Sequence, residues 1–554
     1  MAAAVRRLKT ILGLGPLNMG APFRELLRPK RDVLPIYQKE RAGWAVAMRR
    51  LGLILGIMIV AFVYGVLCAI LPPSMLLPLA APLGLLALLV VWALPEARAA
   101  PTRALTYSLS IFLFVMICWP NYLAVSVAGL PWISLRRLVG LIMTLLLLIC
   151  LSTSKQFRRD MTDVLRSYPL IGRCLIAFFA IQFLSAFLST ALSVTIGRWI
   201  NLSFTSTAIC FVALWVFGPG GKDLKWFTNR LLLAVSVLMV IGVFEARVQH
   251  ILWVDHIPSF LKIDEETLQQ ITQPHIRTWY RVLTTYTTAL SYGELLALAT
   301  PFVLWKLVNA KNWPWRLFWA AFDVALLYSA LLTTARLAMV GYLVAHALFG
   351  LLWGMHRWRN ARGDLLGISA TMLYPAFLVA LGLAVLLVPA LHVRVLGGGG
   401  TQASNDARHV QFAMSVPLIA RRPLLGYGPG QGGSTVNFRT EDNFLTYDLG
   451  LVAIALDYGL LGFFSYMGMI LLSIFELVRT GLRERVDQYP GELAVASALA
   501  VLITTRLVLA QTDNDPLFSI LFGLALATLY SGKRLAGWVP AARKGQQGPV
   551  LGKA

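Results

Sequence analysis

Apolar runs of about 18 to 25 residues recur along most of the chain, and each is long enough to cross a ~30 Å hydrocarbon core. Inside that core every backbone N–H and C=O must be bonded within the protein, which leaves helices and closed barrels. The runs lack the short alternation of barrel strands, so helices are expected. Charge agrees: 14% of the 554 residues are Asp, Glu, Lys or Arg and 58% are hydrophobic, where a soluble protein carries roughly 25% charge. The chain reads as an all-α, polytopic integral membrane protein.

About fourteen spans fit the runs: 51–71, 74–94, 107–127, 136–152, 170–192, 200–218, 231–249, 287–306, 315–334, 337–355, 366–391, 449–475, 491–510 and 516–532. An even number places both termini on one side. The net charge of +23 suits either nucleic acid or a positive-inside topology. Basic clusters fall at alternate loops, which favours topology and no nucleic-acid partner. With the N-terminus in the cytoplasm, "PEARAAPTR", "TSKQFRRDMTDVLR", "GGKDLKWFTNR", "NAKNWPWR", "HRWRNARGD" and "RTGLRERVDQ" all lie inside, and all are basic. The expected organisation is a basic cytoplasmic segment (1–50), a transmembrane domain (51–535) with outer loops at 250–286 and 392–448, and a basic tail (536–554). The polar, basic start predicts no cleavable leader. The stretch "WPNYLAVSVAGLPWISLRR" leaves room for a short re-entrant segment. Five cysteines sit in or beside apolar runs without metal-ligand spacing and read as small hydrophobes; no metal and no cofactor is expected.

Arginines on the outer side run against the positive-inside bias. On this threading they are Arg136, Arg137, Arg198, Arg277, Arg281, Arg336, Arg394, Arg408, Arg421, Arg422 and Arg439. Arg336 lies in "LLTTARLAMVGYLV", in a turn of almost no length between two spans. It either snorkels to the headgroups or faces an anion from a polar cavity. Arginine suits phosphate because its planar fork donates bidentately and stays charged. The second outer loop predicts a helix over 406–420, opened by Arg408 and closed by Arg421 and Arg422. The turn "PLLGYGPGQGG" follows. Gly426 and Gly428 there either bring backbone N–H groups to a ligand or form an ordinary tight turn. In the first outer loop Arg281 accompanies several aromatics, and His275 is a loop histidine.

Three quoted elements, in order, resemble one family. "LLTTARLAMVGYLV" is similar to the small-polar–Arg element between two helices of the O-antigen ligase/polymerase superfamily. "RHVQFAMSVPLIARRPLLGYGPGQ" resembles its outer-loop helix followed by Pro-Leu-Leu-Gly-x-Gly. "YDLGLVAIALDYGLLGFF" resembles its closing element, a polar residue at a helix mouth before an acidic-x-Gly-Leu-Leu-Gly run. The resemblance covers about residues 287–475. It implies a lipid-dependent, all-helical (GT-C type) glycosyltransferase of the bacterial inner membrane. Such enzymes use undecaprenyl-diphosphate-linked glycans at the periplasmic face, in the company of the flippase and chain-length regulator of the same pathway. Ligases of the family carry His then Asn at the helix mouth. Here the matching position is Asp448, the Asp442–Asn443 pair lies six residues earlier, and the only nearby histidine is His409. The acidic residue leans towards a polymerase of O-antigen or exopolysaccharide repeat units, with transfer to lipid A-core as the alternative. A lipid-linked sugar transporter is the alternative of another class, and would call for inverted repeats, none of which is evident.

The chemistry expected of such a site has two parts. Arginines stabilise a leaving diphosphate without needing a metal, and a general base accepts the proton of the acceptor hydroxyl. Arg336 and Arg408, with Arg421 or Arg422, are the expected diphosphate ligands. Asp448 is expected as that base, as an N-cap of the helix behind it, or as both. Asp457 and Glu294, each set into a span, are expected to find hydrogen-bond or ion-pair partners there.

Overall fold

The computed structural model describes residues 43–70, 76–96, 100–125, 133–263, 267–268, 271, 280–360, 365–395, 402–439, 445–483 and 488–535. The basic stretch up to residue 42, the tail from 536, and His275, Arg277, Asp442 and Asn443 lie outside these. The helices are α1 (Gly43–Ile70), α2 (Leu76–Trp92), α3 (Thr102–Cys118), α4 (Leu135–Thr153), α5 (Lys155–Ser167), α6 (Pro169–Phe187), α7 (Leu192–Leu202), α8 (Ala208–Phe217) and α9 (Leu224–Val248). They continue as α10 (Ala289–Val308), α11 (Trp313–Leu332), α12 (Arg336–Asn360), α13 (Leu365–Leu387), α14 (Pro389–Val395), α15 (Gln402–Arg421), α16 (Gly432–Val436), α17 (Gly450–Arg483), α18 (Gly491–Arg506) and α19 (Asp515–Leu535). A π-helical turn, Ser203–Thr207, joins α7 to α8. Every predicted span has its helix, and nine described helices are long and apolar enough to cross a membrane by length and composition. The molecule is an all-α, multi-pass membrane protein.

Local chemistry sets several helix starts. Ser134, Ser154, Asp223 and Thr288 each accept a backbone N–H from the first turn of α4, α5, α9 and α10 respectively, relieving donors that have no partner inside the helix. α10 lies at the centre of the bundle, buried almost all round. It packs closely on α12 because small residues face each other: a Cβ on Gly341 would lie 2.6 Å from that of Ala297, and one on Gly293 equally close to that of Ala338. Helices in lipid gain little from hydrophobicity against one another, so such close approach is a main source of their attraction.

Three placements go beyond the sequence expectation. Within the stretch around 119–137 the described residues form a short antiparallel pair, Ala124–Val125 with Ile133–Ser134. The loop "TSKQFRRDMTDVLR" contains α5, whose apolar face, Phe157, Met161 and Val164, is buried. The span placed at 200–218 begins at Leu192, so Arg198 lies within a helix rather than in an outer loop. Leu192–Leu202 runs on through the π turn Ser203–Thr207 into α8, so the extra turns ahead of residue 200 carry Arg198.

α17 is broken at Gly459, whose φ of 66° and ψ of −175° are not helical. The glycine-rich loop fills the break. Tyr427 N–H donates to Leu456 O and Gly428 N–H to Asp457 O (both 2.9 Å), while Leu460 N–H turns to Pro423 O at 2.7 Å. Ser185 on α6 also donates to Asp457 O, at 2.7 Å. The backbone groups freed by the break are thus bonded to the loop. A Cβ at Gly459 would collide with the Leu424–Leu425 backbone, and this dihedral region belongs almost only to glycine. Gly459→Ala is expected to destabilise the protein by about 1–3 kcal/mol from backbone strain alone. Thermal unfolding in detergent checks this; an unchanged midpoint would show that the loop does not hold the break.

Candidate active site

α11 ends in a tight turn. Thr333 Oγ1 accepts from Ala335 N at 3.1 Å, Thr334 takes a left-handed φ of 50°, and Arg336 opens α12. The segment 280–284 runs along this turn: Val282 N–H donates to Leu332 O at 3.2 Å, and Arg281 Nε donates to Thr333 O at 3.4 Å. Buried Glu245 of α9 fixes that segment, accepting Leu283 N–H and Thr284 N–H at 2.8 Å each and the Tyr280 hydroxyl at 3.1 Å. Arg281 and Arg336 are therefore presented together by two braced turns.

α15 supplies the opposing wall. Its Asn405, Arg408, Gln411 and Ser415 follow helical spacing. Asn405 Oδ1 accepts from Arg336 Nη2 at 3.3 Å and from Arg408 Nη1 at 3.4 Å, so two guanidinium groups meet at one neutral oxygen. Arg408 Nη2 stands 3.9 Å from Asp448 Oδ2. Buried Gln411 holds the 446–448 segment in place, donating to Thr446 O at 3.4 Å and accepting Asp448 N–H at 3.0 Å. Ser415 Oγ lies 2.9 Å from the Tyr447 hydroxyl. Burial pushes that phenol up to about 12, so it stays neutral at physiological pH. Arg336 and Arg408 thus converge on Asn405, with Asp448 beside Arg408, a grouping of guanidinium forks suited to an anion.

The sequence-predicted residues divide on this geometry. Arg336, Arg408 and Asp448 come together, with Arg281 alongside. The first helical bond of α17 runs from Ala453 N to Leu449 O. The capping position is thus Leu449, with Asp448 one residue outside. Arg421 and Arg422 lie at the far end of α15, thirteen residues or about 20 Å from Arg408 at 1.5 Å per residue, too far to share one diphosphate with it. Arg421 is exposed and Arg422 sits over the Tyr427 ring at 5.1 Å. His409 is exposed, turned about 100° from Arg408 on the helix.

The glycine turn also differs from the ligand-binding expectation. Gly430 N–H and Gly432 N–H donate to the two Asp457 carboxylate oxygens at 2.7 and 2.6 Å, and Arg198 donates to Gly430 O. With Gly428 on the Asp457 carbonyl, three of the loop's N–H groups are spent on one residue of α17. Gly426 has a φ of +68°, and a Cβ there would meet Asp457. These glycines serve close approach of loop and helix.

Glu294 lies in a buried network that joins α10, α18 and α19. It pairs with Arg506 Nε at 3.1 Å and accepts from Thr505 Oγ1 at 3.0 Å and Asn514 Nδ2 at 2.9 Å. Arg506 Nη2 reaches Asp515 at 2.9 Å, and Asn514 accepts the Tyr286 hydroxyl at 3.0 Å. Arg506 escaped the sequence reading, although its signal was present: an arginine inside an apolar run is costly and seeks a carboxylate. Glu245, a carboxylate inside an apolar run, carried the same signal, whereas Asn405 and Gln411 carried none, since their roles depend on which turn lies opposite.

A bundle of membrane-spanning helices that gathers guanidinium groups beside a carboxylate defines a multi-pass membrane protein with a site suited to an anion. Residues 321–467 match the family model described as O-antigen ligase. This segment, which holds Arg336, Arg408, Asp448 and Asp457, is a domain of the O-antigen ligase/polymerase superfamily, and the role it supports is glycan assembly. No curated protein matches the chain.

Proposed function

We propose that the protein is an inner-membrane glycosyltransferase that polymerises undecaprenyl-diphosphate-linked repeat units into O-antigen or exopolysaccharide at the periplasmic face. The observation that carries this reading is the convergence of Arg336 and Arg408 on Asn405, with Asp448 3.9 Å from Arg408. Arg336, Arg408 and Arg281 hold the donor's diphosphate. An acceptor sugar hydroxyl attacks the donor's anomeric carbon, and the bond from that carbon to the diphosphate oxygen breaks. The hydroxyl proton passes to Asp448, and the diphosphate leaves on its lipid carrier. The arginines stabilise the charge that develops on the leaving oxygens, where preorganised donors act most strongly. The basic inner loops support a cytoplasmic location for both termini, and a flippase and a chain-length regulator are the expected pathway partners. The family description favours a second reading, transfer of finished glycan to lipid A-core.

A deletion strain separates the two. A lost polymerase leaves single repeat units on lipid A-core; a lost ligase leaves long chains on undecaprenyl diphosphate. Normal surface glycan of full length would overturn both. Arg336→Lys retains charge but removes the fork, and is expected to reduce polymer output about 10- to 100-fold, the worth of one charge-assisted hydrogen bond. Wild-type output at equal protein level would show that bidentate recognition at this position is not used.

A further inference from the structure

A cavity of about 280 Å³ lies between α3, α8 and α9, near the end of the bundle away from Asp448. α9 fixes its place. Glu245, towards the end of that helix, braces the segment that carries Arg281. Arg230, which lines the cavity, stands fifteen residues earlier, about 22 Å away at 1.5 Å per residue. α3 agrees: Thr102 and Arg103 in its first turn line the cavity, while Ile117 O near its other end accepts the Thr285 hydroxyl of the braced segment at 2.7 Å. The loop "GGKDLKWFTNR" borders the cavity through Gly220 and Lys222. It is one of the basic loops that the positive-inside bias places in the cytoplasm.

The lining is built to donate. Arg103, Lys222 and Arg230 belong to it, and among the described residues no carboxylate does. The acid next to Lys222 in the chain, Asp223, accepts Trp226 N–H at 2.9 Å and caps α9. Buried Arg230 is a fixed wall: it donates to Ser110 Oγ at 2.6 Å and to Trp226 O at 3.2 Å, and its guanidinium carbon lies over the Trp226 ring at 3.8 Å. The unspent donor is Trp215 Nε1. Its side chain is 9% exposed and lines the cavity, and among the described residues the nitrogen has no hydrogen-bond partner. The ring is held in place, stacked on Phe157 with centroids 5.3 Å apart and packed so closely on the loop that a Cβ at Gly220 would lie 2.9 Å from it. An indole N–H can donate but not accept, and a buried donor without an acceptor costs free energy that a bound acceptor recovers. The last carbonyls of α8, which would repel an anion, are occupied: Leu214 O, Trp215 O and Val216 O accept the N–H groups of Gly218, Gly220 and Lys222 at 3.1, 2.7 and 3.0 Å. α3 starts without a side-chain cap, so the positive end of its backbone dipoles lies at the rim.

We propose that this cavity binds a phosphate group, presented by the headgroup of an anionic phospholipid or by a soluble phosphate. Trp215 N–H, Lys222 and Arg103 meet the phosphate oxygens, and Arg230 forms the cationic floor. Position favours the lipid as source, because basic pockets between membrane helices on the cytoplasmic side suit anionic headgroups. The proposal concerns the end of the bundle opposite Arg336 and Arg408, so it stands independently of the transferase reading.

Native mass spectrometry of the full-length protein tests this, with dioleoyl-phosphatidylglycerol and inorganic phosphate as probes. Binding of the tightest phosphatidylglycerol is expected to weaken about 10-fold in Lys222→Gln, which removes a charge-assisted hydrogen bond. In Trp215→Phe, which keeps a ring against Phe157 but lacks the N–H, the expected loss is about 3-fold. Arg103→Gln, at an exposed helix start, is expected to behave like Lys222→Gln and keeps the test if the Trp215 variant fails to fold. Arg336→Lys is expected to leave this adduct unchanged. An adduct that depends on Lys222 and Arg103 and survives excess inorganic phosphate assigns the cavity to a lipid; one that inorganic phosphate displaces assigns it to a soluble phosphate. Wild-type affinity for both probes in folded Lys222→Gln and Arg103→Gln variants would overturn the proposal, as would an adduct lost only in Arg336→Lys.

Discussion

Asp448→Asn is expected to abolish nearly all transfer, lowering polymer output about 10²- to 10⁴-fold, the usual contribution of a positioned general base. Asparagine is close in size, so the brace from Gln411 to the Asp448 backbone N–H is retained and the protein level should not change. What is lost is a proton acceptor next to Arg408. Asp448→Glu keeps the acceptor but moves it by one methylene, and should recover part of the output. The measurement is the length distribution of surface glycan, with the protein quantified in the same membranes. Wild-type chain lengths in the Asn variant would remove Asp448 from proton transfer.

Arg506→Met should have the largest effect on stability. It leaves the buried carboxylate of Glu294 and the half-buried one of Asp515 without their shared cation. Breaking a buried pair from one side costs about 3–5 kcal/mol. Glu294→Gln should cost less, because Arg506 keeps Asp515. Adding Glu294→Gln and Asp515→Asn to Arg506→Met should restore much of the loss, since the remaining groups are then neutral. Unfolding in detergent, followed with all three variants, checks the order. An Arg506→Met variant as stable as the wild type would show that the network does not join α10, α18 and α19 in the way the distances imply.

The helices were legible because the bilayer imposes a length and a composition on every span, so hydropathy alone places them. Arg336, Arg408 and Asp448 stood out in the sequence because charge next to hydrocarbon is expensive and therefore informative. What did not show was partnership. The glycine run reads as a ligand cradle or as an ordinary tight turn, and its N–H groups meet Asp457 instead, because nothing in the chain announces that α17 breaks at Gly459. Arg421 and Arg422 read as companions of Arg408, but the continuous helix between them sets them about 20 Å away. Arg198 reads as a loop residue because the span behind it was started at residue 200, whereas the helix begins at Leu192.

The short stub of α17 ahead of Gly459 takes its position from a hairpin of chain some thirty residues upstream rather than from the long membrane-crossing shaft behind it. A lesion at Gly426 or Gly428 would therefore act at a distance, by tilting the platform on which the carboxylate at its tip is mounted. Such a variant would mimic loss of the acid itself while leaving every charged group in place, and restoring charge would not rescue it.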